Sequence, residues 1–279
     1  MAVSILDSII NISKHESVSM AKIETGSGNR ITKIGDSLEY YFRDSFCNSF
    51  DIETKENKDE KHEEIFSYIG NPKDPPDAMI KGGDALEFKK MGIGNSDIQL
   101  NSSFPRDKLY STDPKINERC RSCENWTEKD MIYCLGFSLK SKIKILLFLH
   151  GGCVAADKEI YETLQNAVTS SITRDSDSTS ETRELARFNK VDSLGYTSLR
   201  VRGMWLLKNP LNTFSDTLTF SKEDGKTYVF ALMTKEKYLG FEEAKRKVIE
   251  SSIGISDVKI KNPNDPKEET DSILIKFSF

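Results

Sequence analysis

"NPKDPPDAMIKGGDALEFKK", residues 71–90, reads as two short strands around a turn, yet it carries charge where a half-buried hairpin should be apolar. Asp77, Lys81, Asp84, Glu87, Lys89 and Lys90 crowd among Ala78, Met79, Ile80, Ala85, Leu86 and Phe88. Gly82-Gly83 is a two-residue hairpin signal, because both positions can take positive φ. Strands are therefore expected over about 77–81 and 84–90. Side chains alternate faces along a strand, so Glu87 and Lys89 share one face with Ala85, while Leu86 and Phe88 point into a core. Pro75-Pro76 force an extended approach to Asp77. A two-residue turn sets Lys81 opposite Asp84 and Ile80 opposite Ala85, which leaves Asp77 near Leu86 to Phe88. Asp77 then reaches the Glu87 and Lys89 face only if its strand bends or bulges.

Two carboxylates and a lysine gathered there have a chemical use. Asp77 and Glu87 can hold Mg²⁺, with water completing its octahedron. Such an ion lowers the pKa of a bound water and neutralises charge developing on a phosphate. Lys89 can position that water or help deprotonate it, and the expected reaction is in-line attack on a phosphodiester. A plainer reading stands beside it. Any E-x-K on a solvent-facing strand arises from alternation alone. The preceding Pro-Asp adds weight to the nuclease reading, while the plainer one still stands ahead of it.

Around the hairpin the pattern is mixed α/β. Val3, Leu6, Ile9, Ile10 and Ile12 have helical spacing. Asp36 is placed to cap a second helix, with Glu39 three residues on completing a capping-box-like pair. The polar run 51–63 reads as a loop or a solvated helical turn. A second hairpin is expected over 131–138 and 143–149, turning at Lys140-Ser141. Further along come a helix over 156–171, a Ser/Thr/Asp loop over 172–182, strands near 197–202, 214–220 and 227–233, a helix over 241–252, and a last strand, "SILIKFSF". Central strands arriving as hairpins exclude a doubly wound parallel sheet. The fold class is a mixed central sheet with flanking helices, in one domain over 1–279.

Bulk properties narrow the function. The chain has 279 residues, 37% hydrophobic and 30% charged, which suits a soluble globular protein. Its longest apolar run, Ile145 to Leu149, is too short to cross a bilayer. The N-terminus lacks a basic leader, so a cytoplasmic protein with five reduced cysteines is expected. Net charge is −4 and the pI about 5.6, which argues against non-specific coating of nucleic acid. It leaves room for a DNA enzyme with a carboxylate site and a local basic surface.

Five collinear blocks extend the reading: "GDSLEYYFRDSF" (35–46), "FSYIGNPKDPPDAMIKGGDALEFKK" (66–90), "LNSSFP" (100–105), "CRSCENWTEKDMIY" (120–133) and "FNKVDSLGYTSLRVRGMW" (188–205). With P-D, nine residues, then E-x-K, the chain resembles the NgoPII-like type II restriction endonucleases of the PD-(D/E)xK superfamily. Ser193 and Phe88 depart from that pattern, where proline and a smaller aliphatic are expected. The resemblance implies a PD-(D/E)xK core within about 30–150 and Mg²⁺ as cofactor. It also implies double-stranded DNA cut at a short palindrome, GGCC, a homodimer, and a DNA methyltransferase in the same system. It further implies that Glu39, on the early helix, adds an acidic group near the metal; the alternative is that Glu39 only closes the cap.

Recognition residues are expected over about 100–115 and 181–210. The second stretch holds six positive against three negative side chains, +3 in a chain of −4. Arg200 and Arg202 have strand spacing and suit the O6 and N7 acceptors of guanine; contact with phosphates is the alternative. Asn189, Lys190, Asn101, Ser102 and Arg106 are further DNA-binding candidates. Cys120-x-x-Cys123 lacks a second pair and a nearby histidine, so buried or half-buried thiols are expected rather than zinc. His15, His62 and His150 pair with no nucleophile, and no nucleotide-binding loop appears. A structure-selective or repair nuclease, and a DNA-binding protein without catalysis, remain the rival readings.

Overall fold

The structure is a computed structural model that describes residues 2–17, 30–71, 74–94, 96–100, 103–139, 142–173, 185–189, 191–194 and 196–279. Three helices come first, α1 (Ile5–His15), α2 (Arg30–Cys47) and α3 (Lys55–Ile65). Strands β1 (Phe66–Asn71), β2 (Asp74–Ile80), β3 (Ala85–Gly92), β4 (Ile98–Gln99) and β5 (Lys108–Tyr110) follow, then α4 (Glu118–Ser122). The long pair β6 (Glu128–Leu139) and β7 (Lys142–His150) leads to α5 (Lys158–Thr173). Short elements β8 (Ala186–Phe188), β9 (Leu199–Val201), β10 (Leu206–Leu207) and α6 (Pro210–Thr213) come next. The chain closes with β11 (Tyr228–Thr234), α7 (Lys235–Leu239), α8 (Glu243–Ser252), β12 (Gly254–Lys261) and β13 (Glu269–Ser278).

A nine-stranded mixed sheet organises these elements in the order β1-β2-β3-β6-β7-β11-β13-β12, with β5 added to β6. Pairs β3–β6 and β7–β11 are parallel; β2–β3, β6–β7, β11–β13 and β12–β13 are antiparallel. Strand β7 is buried along nearly its whole length, as a strand covered on both faces must be. On one face Ile5, Leu6, Ile9 and Ile12 of α1 and Leu38, Phe42 and Phe46 of α2 pack on Leu86, Phe88, Cys134 and Phe148. Phe42 stacks on Phe88 with ring centres 5.8 Å apart. Gly136 permits this approach, since a Cβ there would lie 2.4 Å from Leu38 Cδ2. The other face buries Met79, Ala85, Met131, Tyr133, Leu135 and Leu147 beneath Leu109, Ile116 and Phe214.

Several expectations are corrected. Asp36 lies inside α2, which starts at Arg30, so it does not cap that helix. The polar run after residue 51 forms α3, capped by Thr54, whose hydroxyl accepts from the Asn57 N–H. It is anchored where His62, fully buried, meets Asp44 at 2.8 Å. No strand occupies 214–220. Asn209 caps α6 through the Leu211 N–H at 3.0 Å, with Pro210 at its first position, and turns follow. Strands β1 and β12 were not foreseen. The turn at Lys140-Ser141 and most of the 172–182 loop lie outside the described residues. Among the described residues no helix is long and apolar enough to cross a membrane.

Candidate active site

The charged hairpin turns differently from the two-residue expectation. Ala78 pairs with Leu86 and Met79 with Ala85, and the Ile80 N–H donates to Asp84 O at 2.9 Å. Lys81, Gly82 and Gly83 therefore make a three-residue loop, in which Gly82 takes a φ of 63°. One residue of register changes every partnership on the strand. Continued outward from Ala78 and Leu86, the observed register sets Asp77 opposite Glu87, with no bulge needed.

The three expected side chains converge. Lys89 Nζ lies 2.5 Å from Glu87 Oε1 and 3.8 Å from Asp77 Oδ2. Asp77 Oδ2 also accepts from the Phe88 N–H at 2.7 Å. The side chains of Asp77, Glu87 and Lys89 are 24%, 16% and 24% exposed, open enough to meet a phosphate and dry enough to strengthen their fields. Burial, reinforced by the Glu87 charge, pushes the Asp77 carboxyl up to about 7, with Lys89 and the Phe88 N–H pulling the other way. Burial disfavours the Lys89 ammonium, but the charges of Glu87 and Asp77 outweigh it and hold its pKa above the ordinary lysine value. Glu39, on α2, is close enough for its charge to raise both groups further, and its carboxylate lies 3.6 Å from the Arg43 guanidinium.

The charges at the turn end have a different task. Lys237 bridges Asp84 at 2.6 Å and Asp130 at 2.7 Å. Lys129 donates to Ile80 O and Gly83 O and pairs with Glu124, which accepts from the Gly82 N–H. Lys81 donates to Glu63 O. The hairpin is thus pinned at its turn, leaving the carboxylates at its open end.

One residue on this face escaped the sequence reading. Tyr133 is the β6 partner of Glu87, and its hydroxyl accepts from the Arg106 N–H at 2.8 Å and donates to Arg106 O at 3.2 Å. Alternation of Met131, Tyr133 and Leu135 is the signal that places it there. Arg106 itself, expected to face DNA, is 7% exposed and pairs with Asp113 at 2.6 Å. Gly151 lets the loop close, because a Cβ there would meet Arg106 O at 2.2 Å.

Arg200 pairs with Arg187 in the β8–β9 ribbon, a two-stranded unit separate from the large sheet. Arg202 falls one residue past the end of β9, so a continuous strand does not carry both arginines. Arg200 is exposed, and Asn189, half-buried, follows β8. Lys190, Asn101 and Ser102 lie outside the described residues. The ribbon returns to the body through Trp205, whose carbonyl accepts from the Leu100 N–H at 2.9 Å and whose ring meets Phe104 edge-on. Leu206 and Leu207 then pair with β4.

Among the described residues no group of three His, Cys, Asp or Glu side chains could hold a metal ion; Asp77 and Glu87 form a pair. Cys120 is buried in the core layer that holds Tyr133, and Cys134 in the opposite one. Cys123 is half-buried, its thiol directed at Cys120 O.

The whole chain can be set beside known proteins. Residues 3–263 match the model of the NgoPII restriction endonuclease family. The type II restriction enzyme NgoPII of Neisseria gonorrhoeae is 36% identical over 279 residues, covering 98% of this chain and 99% of that enzyme. No solved structure matches it. With likeness running from α1 into the loop after β12, through the paired carboxylates of the hairpin, the chain belongs to the NgoPII restriction endonuclease family.

Proposed function

We propose that this protein is a type II restriction endonuclease that hydrolyses phosphodiesters of double-stranded DNA in a Mg²⁺-dependent reaction, on a single-domain PD-(D/E)xK core. The observation that carries the reading is the hairpin register, which faces Asp77 with Glu87 and brings Lys89 Nζ within 2.5 and 3.8 Å of them. The donor set fits the metal. Two carboxylates are hard oxygen ligands, and Mg²⁺ is commonly held by one or two carboxylates plus substrate phosphate and water. An Asp77 carboxyl raised to about 7 by burial and a like charge is a group that a cation would bring back to its ionised form. Asp77 and Glu87 would hold the ion, and when bound it supplies charge neutralisation at the phosphate and a more acidic water.

The chain's own residues do the rest. Lys89 is held protonated by its carboxylate neighbours, so it acts as a donor that orients the attacking water or a phosphate oxygen rather than as the base. The Phe88 N–H fixes the rotamer of Asp77. Glu39 adds negative charge at the edge of the pair and strengthens its demand for a cation. Arg200 and Arg202 are the base-reading candidates, and Asn189 and Lys190 are proposed as further DNA contacts. GGCC is the proposed site, and two-fold protein symmetry suits a palindrome, so a homodimer is proposed. A methyltransferase of the same system protects host DNA in the cytoplasm. Plasmid digestion with and without Mg²⁺ tests the reading. Discrete bands that require the metal are expected; no cutting, or cutting only at flaps or lesions, would overturn it.

A further inference from the structure

Helix α5 turns its apolar row away from the chain it belongs to. Its half-buried side is the row Tyr161, Gln165, Thr169 and Ile172, and none of residues 158 to 172 is buried. Tyr161 stacks on Phe104 with ring centres 5.1 Å apart. Ile160, Leu164 and Val168, at four-residue intervals, form a second row that is 54%, 56% and 37% exposed. A helix in a globular protein draws most of its stability from burying its apolar face. Here Gln165 and Thr169 face inward while Ile160 and Leu164 face solvent. Beside the outward row stand Thr163, Ala167 and Ser171, all small and exposed. Between residues 160 and 171 the one charged side chain is Glu162, which lines the cavity under the helix with Lys158. The outward face is thus apolar and uncharged in a chain that is 30% charged. DNA is not the partner of such a face, because a duplex is held through cations at its phosphates.

We propose that α5 packs antiparallel against α5 of a second copy of this chain, across a two-fold axis at Leu164. The proposal rests on the reading of the chain as a nuclease of a short palindrome. An isologous contact needs a surface that complements itself. The row supplies one: Leu164 lies midway, so Ile160 of one copy meets Val168 of the other. The small residues beside it let two helix axes approach closely, and antiparallel helices oppose their macrodipoles favourably. The place of α5 also fits. The half-site centres of a four-base-pair palindrome lie two steps, about 7 Å, apart along the duplex. The two recognition ribbons must then flank the two-fold axis, and the subunit contact must lie beside them. Helix α5 packs against β8 of the ribbon. The open edge strand β12 fits less well, since it lies five strands from β3. Pairing through it would hold the two carboxylate sites roughly 50 Å apart, too far to serve one such palindrome.

The test is analytical ultracentrifugation of the full chain without DNA, over a range of concentrations, beside plasmid digestion. The wild type should sediment as a dimer. Leu164→Glu should raise the dimer dissociation constant about a hundredfold or more, because it sets two like charges face to face across the axis. Leu164→Lys should do the same, and mixing the two variants should restore a dimer in which opposite charges meet. Leu239→Glu, at a comparably exposed leucine on α7, should leave the dimer unchanged. Melting curves at dilution separate misfolding from dissociation, and Ile160→Ser gives the same reading at the end of the row should Leu164→Glu misfold. A wild type that stays monomeric at every concentration while it cuts GGCC overturns the α5 contact and leaves the nuclease reading standing. A dimer that survives both Leu164 variants does the same. Variants that dissociate but do not pair when mixed overturn the two-fold arrangement. A wild type that dimerises through Leu164 yet cuts no duplex overturns the nuclease reading and leaves the contact in place.

Discussion

The hairpin that carries Asp77, Glu87 and Lys89 and the ribbon that carries Arg200 are built on opposite principles. Strands β2 and β3 sit inside a nine-stranded sheet, with Ala78, Met79, Ala85 and Leu86 fully buried and the turn pinned by Lys129 and Lys237. Strands β8 and β9 have three residues each and, among the described residues, pair only with one another. Around them Val191, Leu194, Tyr196 and Leu199 are 58%, 71%, 86% and 53% exposed. The difference fits the role proposed for each region. Groups that orient a reacting phosphate gain from being fixed before substrate arrives. A surface that reads bases acquires its partner, and most of its burial, only on the DNA.

The largest expected effect therefore falls on the hairpin. Asp77→Ala and Glu87→Ala should each abolish plasmid cleavage while duplex binding in Ca²⁺ stays within a few-fold, because each removes a proposed metal ligand and no DNA contact. Lys89→Ala should also lose cleavage but retain metal binding. Full cleavage by Asp77→Ala breaks the contrast at its root.

In the ribbon, losses should appear in discrimination rather than turnover. If Arg200 or Arg202 reads guanine, replacement by Ala should cost about 1–3 kcal/mol on the GGCC duplex and much less on random DNA. Equal loss on both duplexes would make the arginine a phosphate contact. No loss at all would move recognition to another surface.

The same contrast explains what the sequence could reveal. Asp77, Glu87 and Lys89 were legible because their grouping depends on period-two alternation and one turn, both local properties. The error was also local: Gly82-Gly83 suggested a two-residue turn, the chain uses three, and Asp77 gained its direct alignment with Glu87. Alternation along β6 gives Tyr133 its face, but its place beside Glu87 comes from the pairing of β3 with β6, which joins residues 46 positions apart. Arg106 is buried for a related reason, since Asp113 and the Tyr133 hydroxyl hold it rather than its immediate neighbours in the chain. Asp36 looked like a cap because Ser/Thr/Asp signals mark helix starts, yet the helix runs on through it from Arg30. The ribbon buries little and so imprints little pattern; "RVRGMW" advertised its charges but not its β8 partner.

A smaller effect tests how far the hairpin is held under electrostatic strain. Asp77 titrates near 7 in the folded protein and near its ordinary value when unfolded. A carboxyl with a raised folded pKa is protonated in the native state where the unfolded chain has already lost the proton. Between about pH 4 and pH 7 the native state thus binds more protons, and its stability falls as pH rises. Asp77→Asn keeps an acceptor for the Phe88 N–H and removes the charge. In metal-free buffer it should melt above the wild type at pH 8, by about 2–4 °C for each kcal/mol relieved, and the gain should shrink towards pH 4. Mg²⁺ should raise the wild-type melting temperature and leave Asp77→Asn unchanged. A variant that melts lower at pH 8 would show that Asp77 is stabilised by Lys89 more than burial penalises it.

The smallest effect belongs to the ribbon's apolar tip. Leu194 is 71% exposed, and its place in the chain is held by the backbone, where Asp192 accepts from the N–H groups of Leu194, Tyr196 and Thr197. Leu194→Ser leaves those bonds in place and removes a side chain with little burial to lose. Surface substitutions of this kind change stability by about 0.5 kcal/mol or less, so the free protein should unfold at the wild-type denaturant midpoint. A loss above about 1 kcal/mol, seen at low protein concentration and growing as the protein is concentrated, would mean that Leu194 is covered by a second copy of the chain in solution. The ribbon would then be ordered before DNA arrives, and the contrast with the hairpin would shrink to one between burial within a subunit and burial between subunits.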